Sequence, residues 1–277
     1  MKAPFCKVSA GDGSWTIRDG AVGETYHPEL GIVAECRAWL EQPEIAEVLA
    51  REGTVRVWDV GLGAGGVAAA LLERLRGRRA ELASFERSTS LLAAVLEEPD
   101  FFPHLAVLSR ELWQRRLEPG PIDVGGCSWS LILGDITETM TDWAERPPDL
   151  VMYDMHSPKA QPELWGLEFW EKRAAEWQGA RVLVAFHTRS TAVRSTLLGA
   201  GFFVGVGAGL GGKEETTLAG TASDLILRPL DPRWLERLER STSGSPIRGH
   251  GYATGSIPQE DLDRIRRHPQ FARGTQD

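Results

Sequence analysis

The 277-residue chain is 42% hydrophobic and 25% charged, ordinary values for a globular protein, and it has no apolar run long enough to span a bilayer. Its formal net charge of −8 argues against a protein that grips nucleic acid over a long surface. Three widely spaced cysteines, Cys6, Cys36 and Cys127, read as reduced thiols of a cytoplasmic protein; residues 1–6 are unlike a secretion signal, and nothing has metal-ligand spacing.

Residues 1–30 are turn-rich, and Asp12-Gly13-Ser14 before Trp15-Thr16-Ile17 predicts an N-terminal hairpin. Residues 31–50 read as a helix with Ile32, Val33, Cys36, Trp39 and Leu40 on one face, interrupted at Pro43. The stretch 55–70, VRVWDVGLGAGGVAAA, then runs from a β-branched strand through a glycine turn into a small-residue helix. That order makes a nucleotide-type loop, in which glycines let a ligand approach the backbone and a helix N-terminus offers free N–H groups. The spacing is G-x-G-x-G with no G-x-x-x-x-G-K-[ST], which disfavours an NTP phosphate cradle.

Strands and helices alternate beyond it. Strands are predicted at 82–85, 130–133, 150–153, 181–186, 202–206 and 223–227, and helices at 88–96, 104–117, 162–177 and 191–198. This is an α/β pattern, a mostly parallel sheet of seven strands covered on both faces, with ligands beyond the carboxyl ends of the strands. The expected organisation is an N-terminal extension at 1–54, a core at 55–230 and a partly flexible tail at 231–277. The tail has a glycine-rich loop at 241–256 and a short basic helix at 258–268. Residues 228–277 hold nine Arg and seven acids, so the rest of the chain carries the negative charge.

Three acids follow successive strands. Glu86 is placed to accept the ribose hydroxyls of an adenosine, Asp135, with Ile136 beside it, to meet the adenine amino group, and Asp154 to face the bound ligand over the middle of the sheet. Glu86 has a bland alternative as a helix neighbour, and Asp135 as a cap at Thr137. No second glycine fingerprint or hydride-transfer set is evident. The acid-rich loop Asp59-Val60-Gly61-Leu62-Gly63 suits a cationic methionine group better than a pyrophosphate, which favours S-adenosylmethionine (SAM) over NAD.

Four stretches are similar to a known family. They are Asp12-Gly13-Ser14 with Glu24-Thr25-Tyr26-His27-Pro28, Gly31 and Glu35; Gly61-Leu62-Gly63-Ala64-Gly65 with Phe85-Glu86-Arg87; Asp154-Met155-His156-Ser157-Pro158 through Trp165; and residues 188–202 leading into Gly207 to Glu215. Over residues 10–230 the chain resembles the MnmD-type methyltransferases of bacterial wobble-uridine modification, equivalent to the N-terminal half of bifunctional MnmC. The resemblance implies a class I SAM-dependent methyltransferase with a Rossmann-like sheet. It also implies methyl transfer to the amine of 5-aminomethyl-2-thiouridine in tRNA, with separate oxidase and uridine-modifying enzymes upstream. The residues it points to are Asp154 as the catalytic group and Asp59, Gly61, Gly63, Gly65, Glu86, Asp135, Ile136 and Glu35 around SAM. Tyr26, Ser157, Pro158, Trp165 and Lys213 are the substrate contacts, with residues 207–212 as a closing loop. Departures from the family pattern are Val67 after the loop, His156, Gln161, and Glu214 where the family carries Arg.

Two other readings stay open. One is a SAM-dependent enzyme of the same fold acting on a small amine; a polyamine synthase would carry a D-x-x-D at Asp154, where the fourth position is Ser157. The other is a catalytically silent SAM-fold protein that binds a partner through its Arg-bearing tail.

Overall fold

The computed structural model describes residues 5–27, 30–210, 212–249, 251–252 and 255–272. Strands β1 (Phe5–Ser9) and β2 (Trp15–Asp19) pair antiparallel as the expected hairpin. Its turn is closed by Asp12, which accepts from the Ser14 backbone N–H at 2.9 Å and from Ser14 Oγ at 2.7 Å; these bonds hold the Asp12 carboxyl below its usual range. A Cβ at Gly31 would collide with Ser14 Oγ, which explains the Gly31 of the family motif as a packing contact on this turn. Beyond β2 the chain doubles back. Asp19 N–H donates to the Glu24 carbonyl and Tyr26 N–H to that of Ile17, and Thr16 Oγ1 donates to the Tyr26 carbonyl. This return delivers Tyr26 and His27; Pro28, which the family motif includes, lies outside the described residues.

Helices α1 (Gly31–Leu40) and α2 (Pro43–Ala50) break at Gln42, because Pro43 can start a helix but not continue one. The buried face of α1 carries Ile32, Glu35, Cys36, Trp39 and Leu40. An acid, Glu35, therefore stands on the face where the sequence pattern expects Val33.

The chain divides into two compact units. The first contains all of the above and continues through β3 (Val55–Val60), α3 (Gly66–Arg74), β4 (Ala80–Glu86) and α4 (Ser90–Glu97). The single helix expected at 104–117 is a 3-10 turn, Pro103–Val107, followed by α5 (Arg110–Arg115), whose N-cap Ser109 accepts from Leu112 N–H. Next come β5 (Gly120–Val124), β6 (Cys127–Leu133), α6 (Ile136–Asp142) and β7 (Leu150–Tyr153). The strand order is β5-β6-β4-β3-β7, with β6, β4, β3 and β7 parallel and β5 antiparallel at the edge.

The second unit holds α7 (Leu167–Glu176), β8 (Leu183–Phe186), α8 (Thr191–Gly199), β9 (Phe203–Ala208), β10 (Glu215–Gly220), α9 (Pro232–Glu239) and α10 (Gln259–Arg266). Its strand order is β8-β10-β9, with β10 antiparallel to β8. The two units thus contain five and three of these strands, where the sequence pattern predicts seven. The addition is β5, in a hairpin turned by Gly125-Gly126. The last strand is β10 at 215–220; the strand expected at 223–227 is a 3-10 turn, Ser223–Leu225, with Asp224 drawn out onto Arg181 at 2.7 Å.

The described part of the tail is packed. Trp234, Leu238, Ile247, Leu262 and Ile265 are buried, the Ile247 N–H donates to Thr196 Oγ1, and the Gln270 amide bonds the Val204 and Leu230 backbone.

Arg116, directly after α5, ties that helix to the β5–β6 hairpin, beside the edge-on Trp113–Trp129 ring contact at 5.6 Å. Arg116, 1% exposed, donates to the carbonyls of Trp129, Glu118 and Gly120 at 2.7–2.8 Å; burial, then Arg115, lowers its pKa to about 10. Arg116→Ala strands these acceptors and is expected to destabilise the protein by about 3 kcal/mol in equilibrium urea unfolding. A loss below about 0.5 kcal/mol, the range of an ordinary surface change, would mean that the hairpin holds without it.

Candidate active site

The glycine loop between β3 and α3 forms one wall of the site, and each of its positions is met by a different element of the first unit. Gly61 has φ +95°, in the left-handed region, and a Cβ there would stand 2.6 Å from the Asp154 carbonyl oxygen. Both conformation and space therefore require glycine. The register of β3 on β7 pairs Val60 with Tyr153, and Asp154 N–H continues it by donating to the Val60 carbonyl at 2.9 Å. The Ala64 carbonyl is held by His104 Nε2 at 2.8 Å, and Trp113 lies against Gly65. At Gly66 helix α1 comes so close that a Cβ would collide with Ile32 and lie 3.2 Å from Cys36 Sγ.

Carboxylates surround this loop. Glu86 Oε2 accepts from Gly63 N–H at 3.0 Å, and Oε1 from the N–H groups of Arg87 and Ser88 at 2.7 and 3.3 Å. Asp135 takes the capping role: it accepts from Thr137 N–H and Oγ1 at 2.9 and 2.7 Å and pairs with Arg87 at 3.0 Å. These bonds, Thr137 first, keep its carboxyl below the usual range. Ile136 follows as the first, buried residue of α6. Asp59 is fully buried, not exposed in the loop. Its Oδ2 accepts from Ser84 Oγ at 2.7 Å, which in turn accepts from Trp129 Nε1 at 2.9 Å, and Oδ1 has no hydrogen-bond partner among the described residues. Burial, aided by the negative charges of Asp154 and Glu86 and opposed by the Ser84 bond, pushes Asp59 up to about 8.

The expected catalytic Asp154 does not stand alone. His27 Nε2 lies 3.5 Å from Asp154 Oδ2, and His27 Nδ1 lies 3.4 Å from Glu35 Oε2, a carboxylate–imidazole–carboxylate line. Cys36 Sγ is 3.8 Å from His27 Nε2. Burial opposes the imidazolium, but Cys36, Asp154 and Glu35 together raise its pKa well above 6.5. His27 has φ +42°, a rare conformation for a residue with a side chain and one that concentrates at functional sites. In the sequence His27 stands inside the Glu24–Pro28 motif with no role of its own, and its place directly after Tyr26 is the signal for it. The Tyr26 ring lies beside Gly63, and burial, then Asp19, Glu86 and Asp154, raises its hydroxyl pKa, so the hydroxyl stays a neutral donor.

The remaining substrate candidates are arranged differently. Ser157, Pro158 and Trp165 belong to the second unit. Trp165 is a core residue, 2% exposed, with its ring 5.9 Å from that of Phe186 and its Nε1 donating to the His156 carbonyl at 2.9 Å. That packing replaces the stacking wall expected of it. Pro158 is likewise buried, and Ser157 offers its carbonyl to the Ala160 and Gln161 N–H groups. Lys213 is half-buried in the 208–214 segment of the first unit, where its N–H closes a turn on the Leu210 carbonyl; Gly211 of the proposed closing loop lies outside the described residues.

The loop suits a cation. Glu86 already occupies the Gly63 N–H, and Glu86, Asp135, Asp154 and Glu35 gather around the loop with Arg87 the guanidinium held among them. A pyrophosphate would meet repulsion there, whereas a ligand bearing a sulfonium and an ammonium would meet complementary charge. Among the described residues no group of His, Cys, Asp and Glu is arranged to hold a metal ion, and no helix is long and apolar enough to cross a membrane.

Residues 107–222 match the model of a family described as S-adenosyl-L-methionine-dependent methyltransferase. The fold is similar to the crystal structure of MnmC2 from Aquifex aeolicus: 24% identity, 96% of this chain and 85% of that one covered, TM-score 0.65. Weaker likenesses include a probable spermidine synthase from Corynebacterium glutamicum (13% identity, 98% and 91% covered, TM-score 0.44) and Aeropyrum pernix fibrillarin with bound SAM (15%, 78% and 93%, TM-score 0.38). No curated protein sequence matches the chain. The fold is that of the class I SAM-dependent methyltransferases, the activity is methyl transfer, and the cofactor is SAM.

The buried titratable groups give two expected outcomes. A folded-state carboxyl raised from 3.8 to about 8 loses stability as pH climbs between those values, because the unfolded chain releases a proton that the folded one keeps. Asp59→Asn retains an acceptor for Ser84 and escapes this cost. Its stability should overtake wild type between about pH 4 and pH 8, by up to about 5 kcal/mol, and level off above, as read by urea unfolding across pH. His104 has the opposite sense: burial first, then His27, lowers it from 6.5 to about 4 against the Ala64 bond, so its contribution is lost as pH falls through that range. His104→Gln should show a flatter acid limb in the same measurement, and an unchanged limb would place the acid sensitivity elsewhere.

Proposed function

We propose that this protein methylates the primary amine of 5-aminomethyl-2-thiouridine at the wobble position of tRNA, giving the methylaminomethyl form. The observation that carries the reading is the Asp154–His27–Glu35 line beside the glycine loop. It is supported by the four motif stretches and by the likeness to MnmC2. Separate enzymes would have to supply the aminomethyl group.

When bound, SAM would supply an electrophilic methyl group on a sulfonium, whose S–CH3 bond breaks with a neutral thioether as leaving group. The acceptor nitrogen must present a lone pair, so the protein has to orient the amine and remove a proton from it. Asp154 accepts a hydrogen bond from the amine N–H and takes the surplus proton as the N–C bond forms. His27, with its raised pKa, is an imidazolium around neutral pH; it donates to Asp154 and fixes the carboxylate's orientation, while Glu35 balances the ring's charge. The Tyr26 hydroxyl, a neutral donor, would meet an acceptor atom of the splayed-out base, whose face stacks on the ring. Asp135, already engaged as a cap, would meet the adenine amino group through its remaining acceptor capacity, and Glu86 would meet the ribose hydroxyls.

The alternative of a small free amine draws on the net charge of −8 and on Glu214, both of which oppose a polyanion. Methyl incorporation into tRNA bearing 5-aminomethyl-2-thiouridine, compared with incorporation into the free nucleoside, separates the two. Asp154→Asn should lower kcat by 10²–10⁴-fold with the SAM dissociation constant changed only a few-fold. His27→Gln should lower kcat by about tenfold through misorientation of Asp154. Intact enzyme that binds SAM and transfers no methyl to this tRNA would sink the reading.

A further inference from the structure

The arginines of the tail fall into two groups. At its far end Arg248 pairs with Asp261 at 2.6 Å, Arg264 with Glu171 at 2.7 Å, and Arg266 with Glu239 and Asp263 at 2.5 and 3.3 Å, while the Arg267 Nε–H donates to the Asp263 carbonyl at 3.1 Å. Helix α9 is different. Arg233, Arg237 and Arg240 are exposed, stand at i, i+4 and i+7 on one face, and have no ion pair among the described residues. The opposite face buries Trp234 and Leu238, which fixes the arginine face outward. Of the two acids on the helix, Glu239 is taken by Arg266, and Glu236 stands at the edge of the stripe. Arg237 also lies within electrostatic reach of Arg194, as does Arg189, three residues past the carboxyl end of β8. Arg194 itself is spent on the interior, 4% exposed and bonded to Glu215, the Thr216 carbonyl and Thr217.

We infer that the Arg233–Arg237–Arg240 face of α9 binds the phosphate backbone of the RNA substrate. The inference rests on the tRNA reading above. Its argument is charge complementarity. A chain of net charge −8 repels a polyanion over most of its surface, so docking has to be confined to a local cationic stripe that the protein's own carboxylates leave open. Seven residues of helix rise place the outer arginines roughly 10 Å apart, a span that reaches successive phosphates. Planar guanidinium forks suit bidentate phosphate contacts. The stripe carries affinity and not base identity.

The test compares wild type with the triple variant Arg233→Glu, Arg237→Glu, Arg240→Glu. A control reverses an equally exposed basic cluster, Arg74→Glu, Arg76→Glu, Arg79→Glu. SAM calorimetry on each reports an intact fold. Binding of tRNA bearing 5-aminomethyl-2-thiouridine is measured between 50 and 200 mM KCl. The stripe variant should bind at least tenfold more weakly. Its log–log salt slope should fall by about 0.7–0.9 for each lost contact, with kcat at saturating tRNA unchanged. The control should stay within about threefold of wild type, and Arg→Lys at the three stripe positions should restore most of the affinity. Unchanged affinity and slope in the stripe variant, or equal weakening in the control, overturns the stripe while leaving the methylation reading intact. Wild-type protein that neither binds nor methylates this tRNA overturns both.

Discussion

Asp154 reaches the glycine loop because β3 and β7 are paired in register and Gly61 has no side chain. The rest of the site depends on that close backbone approach. It brings a carboxylate from the end of one strand to the loop at the end of its neighbour, and it leaves no room for even a methyl group at Gly61. The loop is further held by His104 on the Ala64 carbonyl and by α1 against Gly66. Each contact comes from a different part of the first unit, so the loop's shape is a property of that unit's packing and not of its glycines alone.

Crowding carboxylates around one loop has an electrostatic cost, and the structure meets it in several ways. Asp135 is capped and paired with Arg87, Glu86 is bonded by three backbone N–H groups, and Asp59 is buried with its pKa raised to about 8, so that it is largely protonated at neutral pH. Asp154 and Glu35 share the His27 imidazolium. What is left is a negative field around a preformed loop, the arrangement that a cationic methyl donor requires and that a pyrophosphate would not tolerate. Two residues expected to touch ligands serve the scaffold: Trp165 in the core of the second unit, and Asp59 beneath the loop.

The N-terminal segment supplies two of the three groups in the carboxylate–imidazole–carboxylate line, His27 and Glu35. The Asp12–Ser14 turn rests on Gly31, the return along β2 delivers Tyr26 and His27, and α1 brings Glu35. The described residues of the motif at 12–35 thus pack as one device: the turn, the return and α1 together set Tyr26, His27 and Glu35.

By itself the sequence determined the alternating α/β order, the position of the glycine loop, the acids at the ends of β4, β6 and β7, and a preference for a cationic nucleotide. Those features are local: β-branched runs, glycine spacing and strand-end acids announce themselves within a few residues. Only the tertiary structure decided that His27 bridges Asp154 and Glu35, that Asp59 is buried, and that Trp165 is core. It also decided that the last strand is β10, and that the arginines of α9 face outward while those of α10 are paired. Each of these turns on contacts between residues far apart in the chain, and a side chain's charge, exposure and partner are set by what folds against it, which no local pattern encodes.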